Sequence, residues 1–128
     1  MMRKKILILE DDDIVAEIAS EILSIEGYEV VCTTSGEEAL RSYKKALLSH
    51  KPFHIVLLDL IIKDGMGGYD TMQELKKINP GIKGIVTSGF FDDPIMSRYD
   101  EYGFSAAICK PYTTKELAET VEKLLKAD

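Results

Sequence analysis

The chain has 128 residues, 45% hydrophobic and 30% charged, which suits a single domain able to bury its own core. Its 22 acids against 16 bases give a formal charge of -6, and this argues against a broad nucleic-acid surface, which needs a basic face. MMRKKILIL is too short an apolar run for a signal peptide, no run reaches the ~18 apolar residues of a membrane helix, and Cys32 and Cys109 are too few for a disulfide framework. A soluble, cytoplasmic protein with no membrane insertion is the expectation.

In chain order, short apolar runs alternate with segments of helical period. A first strand covers Lys5 to Leu9. Val15, Ile18, Ile22 and Ile25 then recur at helical spacing, and Gly27 stops that helix. Tyr28 to Thr33 is rich in strand formers. Ser35 and Glu38 read as a capping box opening a helix that buries Leu40, Tyr43 and Leu47. Phe53 to Leu58 is a continuous apolar strand, as expected in a sheet covered on both faces. After a glycine-rich loop comes a helix with Met72, Leu75 and Ile78, closed by Asn79-Pro80-Gly81. Ile82 to Thr87 is the fourth strand. Asp93-Pro94 starts a helix that runs to about Gly103. Ala106 to Cys109 is a fifth strand, and Thr113 with Glu116 caps a last helix carrying Leu117, Val121, Leu124 and Leu125. Both cysteines lie in apolar runs, which predicts reduced, buried thiols.

Five such units predict an α/β fold. It is a flavodoxin-like, doubly wound (βα)5 domain with a five-stranded parallel sheet of order 2-1-3-4-5, covering residues 1–128 with a core of about 4–125. In that order Cys32 and Cys109 fall on opposite edge strands and cannot pair within one molecule. Ligands of such sheets sit at the carboxyl ends of the strands. There the first strand delivers Glu10 and Asp11, the third Asp59, the fourth Thr87 and Ser88, and the fifth Lys110-Pro111. Asp12 or Asp13 also reads as a helix cap. Two unit charges about 4 Å apart cost about 4 kcal/mol at an effective dielectric near 20, so three converging acids call for a cation. Mg²⁺ takes one or two carboxylates plus phosphate oxygens, and a carboxylate can serve as a nucleophile that forms an acyl phosphate.

The set Glu10-Asp11, Asp59 after VLL, Thr87 and Lys110-Pro111 resembles the receiver domain of two-component response regulators over essentially the whole chain. The resemblance implies a signalling switch rather than an enzyme acting on small substrates. Asp59 would accept a phosphoryl group from a histidine kinase or a histidine phosphotransfer protein, and the domain would assist its own phosphorylation and dephosphorylation. Glu10, Asp11, Asp59 and the backbone carbonyl of Ile61 would hold Mg²⁺, for which Mn²⁺ could substitute. Thr87 and Lys110 would contact the phosphoryl oxygens, and Lys110-Pro111 would be a cis peptide. Self-association is expected through the face made by the fourth helix, fifth strand and fifth helix.

The chain departs from the family at several positions. Lys63 stands where a proline is usual, which predicts a looser Lys63 to Gly68 loop. Ala107 stands where a switch aromatic is usual, with Tyr102, Phe104 or Tyr112 as substitutes. Ile61 is apolar and, with Ser88, flanks the path of attacking water, which predicts slow loss of the phosphoryl group. The expectation is a receiver without an output domain, either freestanding or a segment of a longer protein, and DGMGGYD, TSGFFDDPIM and YGFSAAICKPY look like receivers joined to hybrid sensor histidine kinases. His50 and His54 read as structural. The residues speak against three other classes. A hydrolase with an aspartyl-phosphate intermediate would want an acid at Ile61. A flavodoxin-like mononucleotide binder would want a Ser, Thr and Gly loop in place of EDDD. A degenerate receiver would have lost the acceptor, the acids or the lysine.

Overall fold

The structure, a computed structural model, describes residues 3–127. Its elements in chain order are β1 (Lys5–Leu9), α1 (Asp13–Ile25), β2 (Glu29–Thr33), α2 (Gly36–Leu48), β3 (Ile55–Asp59), α3 (Gly68–Ile78), β4 (Gly84–Ser88), α4 (Pro94–Ser97), β5 (Ala106–Cys109) and α5 (Thr114–Lys126). The five strands form one parallel sheet, as the alternation of runs predicts, in the expected order β2-β1-β3-β4-β5. Short parallel strands need crossovers, and the helices supply them on both faces.

Alternate residues of the central strands feed two cores. Leu7, Leu9, Val56, Leu58 and Val86 pack with α2, α3 and Met96 of α4. Ile6, Ile8, Ile55, Leu57 and Ile85 pack with Ile22 and Leu23 of α1 and Leu117 and Val121 of α5. β1, β3 and β4 are buried on both sides from end to end save Lys5, which explains their unbroken apolar sequences. Asp12 caps α1 by accepting from the N–H groups of Ile14 and Val15, and Thr113 with Glu116 forms a full capping box on α5, each cap stabilising its helix by about 1 kcal/mol.

Several expectations are corrected. Ile18 and Ile25 are exposed; α1 instead buries Ala19, Ile22 and Leu23, so its buried stripe is rotated from the isoleucine spacing. Leu47 is also exposed. The fourth helix ends at Ser97 instead of near Gly103, because residues 98–103 continue as turns that close on Gly103 at φ +92°. At the start of α2 only half of the capping box forms: Ser35 accepts from the Glu38 N–H, while the Glu38 carboxylate accepts from the N–H of Thr34. Cys32 and Cys109 are exposed rather than buried. They lie on the two edge strands, where one side of a residue is left without a neighbouring strand.

Candidate functional site

Strand register alone brings the chemistry together. Leu9 of β1 pairs with Leu58 of β3, so the next residues, Glu10 and Asp59, emerge side by side. Asp59 pairs with Thr87, and Thr87 with Ile108 two residues before Lys110. Backbone hydrogen bonds carry the pattern past the strand ends: Glu10 N–H to the Thr33 carbonyl at 3.0 Å, Leu60 N–H to Thr87 at 2.8 Å, and Lys110 N–H to Ser88 at 2.9 Å. The loops leaving the sheet therefore start from fixed positions.

Within this cleft, Glu10, Asp11 and Asp59 each offer an oxygen within 4.8 Å of the others. Glu10 and Asp59 are buried and Asp11 is exposed. The Lys110 ammonium bridges the two buried acids, donating to Asp59 Oδ2 at 2.9 Å and pairing closely with Glu10 Oε1. Burial is the largest influence on Glu10 and raises its pKa, partly offset by the Lys110 hydrogen bond and the Asp12 N–H. For Lys110 burial opposes the charge, yet the hydrogen bonds and charges of Glu10 and Asp59 together outweigh it and the pKa rises. Three acids against one ammonium leave a net negative pocket of oxygen ligands, a donor set suited to a hard divalent cation.

Thr87 and Ser88 are buried at the end of β4, and the Ser88 hydroxyl accepts from the Phe90 N–H at 3.0 Å. Ile61 is 52% exposed at the mouth of the cleft, its N–H 3.4 Å from Asp59 Oδ1. The Lys110-Pro111 peptide is cis. Ala107 is partly buried and packs against the core without an aromatic ring. Tyr102 is held edge-on against Tyr69, with ring centroids 5.7 Å apart. Phe104 is buried in the core.

Two features escape a reading of the sequence. The Lys63 to Gly68 loop is tied rather than loose at its start: the Lys63 N–H donates to Asp11 Oδ2 at 3.0 Å, and further on Gly68 N–H bonds the Leu60 carbonyl at 3.2 Å. Every residue but proline offers a backbone donor, so no residue pattern announces this one. Tyr112 is the second. Its phenol is pushed up to about 12, by burial first and then by the Glu10 carboxylate. Val15, Ile18, Pro111 and Tyr112 line an apolar cavity of about 330 Å³ that opens beside Lys110.

A family model for the response regulator receiver domain matches residues 6–122. The chain is 31% identical over 126 residues to the chemotaxis protein CheY of Thermotoga maritima, covering 98% of this chain and 100% of that protein. It is 32% identical over 126 residues to "Probable transcriptional regulator ycf27" of Porphyridium aerugineum, covering 98% of this chain and 50% of that protein. The chain thus spans about half the length of that relative. The crystal structure of a CheY-like response regulator receiver domain protein from Methanospirillum hungatei JF-1 is similar with a TM-score of 0.84 at 28% identity, covering 97% of this chain and 94% of that one.

Proposed function

The chain belongs to the response regulator receiver domain family, and from that premise we propose that Asp59 is its phosphoacceptor. Receivers of this family are phosphoacceptor signalling domains of two-component systems, and this chain is one. The observation that carries the assignment to Asp59 is its setting: a buried carboxylate at the end of a central strand, bonded to Lys110 and within 4.8 Å of Glu10 and Asp11 ligand atoms.

The donor is phosphohistidine on a histidine kinase or a phosphotransfer protein. A carboxylate oxygen of Asp59 attacks phosphorus, the P–N bond breaks, and its electron pair stays on the imidazole nitrogen. An acyl phosphate is left on Asp59. Glu10, Asp11, Asp59 and the carbonyl of Ile61 would hold Mg²⁺, and Mn²⁺ could substitute. When bound, the cation neutralises charge between the carboxylate and the phosphoryl oxygens. Lys110, held between Glu10 and Asp59, releases one of them to pair with a phosphoryl oxygen, and the Thr87 hydroxyl donates to another. Ile61 and Ser88 flank the approach of water, and the apolar Ile61 side chain offers no group to orient it. The partner has to approach the mouth of this cleft, where Ile14 and Ile18 of α1 are exposed next to the apolar cavity beside Lys110.

The acyl phosphate then biases a two-state equilibrium at the face of α4, β5 and α5. Output is altered docking to a kinase, a phosphotransfer protein or a second copy, in the cytoplasm. Ala107 has no ring to turn inward, so the usual coupling of the threonine to an aromatic at that position is missing. One experiment tests the assignment: incubation with Mg²⁺ and acetyl phosphate, followed by intact mass. Wild type gains one phosphoryl group and Asp59→Asn does not. In Glu10→Gln/Asp11→Asn the gain no longer depends on Mg²⁺. A phosphoryl group retained by Asp59→Asn overturns the assignment.

A further inference from the structure

At the amino-terminal edge of the sheet, the end opposite Asp59, lies a second cavity of about 410 Å³. Arg3, Lys4, Lys5 and Lys51 line it together with His50 and His54. Glu29 is the one acid on its wall among the described residues. None of those four cations forms an ion pair with a carboxylate among the described residues. In a chain with six more acids than bases, four cations without a carboxylate partner around one hollow give it a positive lining that favours an anion.

The hollow is also built, not only lined. Lys5 is fixed by donating from Nζ to the Lys51 carbonyl at 3.1 Å and by lying 4.5 Å over the Phe53 ring. The Lys5 N–H donates to His54 Nδ1 at 3.0 Å, so in the neutral ring the proton is on Nε2, a donor. His50 sits at φ +59° just after α2, a backbone conformation uncommon for a side-chain-bearing residue. Burial lowers the His54 pKa, and the neighbouring Lys4 charge lowers it further.

We propose that this cavity binds a small anion bearing two or more phosphate groups, such as the phosphate tail of a nucleotide. Pocket size fits a small molecule. The cations converge on a concavity, which suits a compact polyanion held by several donors at once. Lys4, Lys51 and Arg3 supply charge, while His54 and His50 supply imidazole donors. The site is independent of Asp59 and lies on the other end of the sheet.

The test uses the full chain and sodium pyrophosphate, at ionic strength held constant with sodium chloride. His50 and His54 are the two histidines of the sequence, so their imidazole NMR signals are assigned with His50→Gln and His54→Gln. Saturable binding is expected, with the His54 titration midpoint moving upward as pyrophosphate fills the site. Lys4→Ala/Lys51→Ala changes exposed positions and is expected to weaken binding about tenfold or more, while Asp59→Asn binds as wild type does. A shift that does not saturate, that sodium chloride alone reproduces, or that survives in the double variant overturns the proposal, as does loss of binding in Asp59→Asn.

Discussion

The backbone N–H of Lys63 donates to Asp11 Oδ2 at 3.0 Å across 52 residues of sequence. It joins the loop after β3 to the acidic turn after β1 and ties down one oxygen of a carboxylate that belongs to the candidate cation site. Lys63→Pro deletes the donor, whereas Lys63→Ala keeps it and removes only the ammonium. Mg²⁺ affinity by calorimetry is expected to fall about five- to tenfold in Lys63→Pro and to stay within about twofold of wild type in Lys63→Ala. Tighter binding in Lys63→Pro would mean that the hydrogen bond competes with the cation instead of preparing its site.

Lys110 bridges the buried Glu10 and Asp59. Lys110→Met keeps the stem and removes the charge, leaving two buried acids beside each other. Urea unfolding of the metal-free variant is expected to show a loss of about 2–3 kcal/mol, at or below the lower end of the range for a broken buried pair because Lys110 is partly exposed. Millimolar Mg²⁺ should recover more stability in the variant than it adds to wild type. Equal gains in the two proteins would show that the ammonium and the cation do not serve the same carboxylates.

Gly68 begins α3 against the acceptor strand: a Cβ there would lie 2.6 Å from the Asp59 carbonyl oxygen and 3.0 Å from its carbon. Gly68→Ala therefore pushes the helix start and the end of β3 apart. The expected result is a loss of about 1–3 kcal/mol in stability, the usual range for overpacking, together with slower labelling by acetyl phosphate. Labelling at the wild-type rate would show that the Asp59 carboxylate is held without this contact.

Tyr112 ionises near 12 in the folded protein, above the ordinary tyrosine value of about 10. As pH rises the unfolded chain gives up this proton first, so the Tyr112 contribution is whole below about pH 10 and declines through the interval up to 12. The raised Lys110 acts in the same direction. Tyr112→Phe removes only the phenol. Its denaturation midpoint is expected to fall less steeply than that of wild type between these pH values, and parallel curves would place the phenol in ordinary solvent.

Much of this protein was settled by residue order alone. Continuous apolar runs such as Ile6 to Leu9 and Ile55 to Leu58, short and rich in β-branched residues, read as strands covered on both faces, and alternating them with helical segments points to a parallel sheet with crossovers. Glu10, Asp59, Thr87 and Lys110 each follow such a run directly, so a site at the carboxyl edge was legible from their spacing. Periodicity served less well on the surface. It placed Ile18 and Ile25 on one stripe with Ile22, but an apolar residue at helical spacing reads the same whether its stripe meets the sheet or water, and only the seating of α1 on β1 and α5 decides which. The length of α4 was likewise beyond local propensity, since turns and a left-handed Gly103 end it where the chain must return to β5. What tertiary structure alone supplied were contacts that name no residue type or join distant segments: the Lys63 N–H on Asp11, the depth at which Tyr112 sits, and the gathering of Arg3, Lys4, Lys51 and His54 around one hollow. Side-chain chemistry is written along the chain, but proximity between backbone groups and distant charges exists only after the chain has closed on itself.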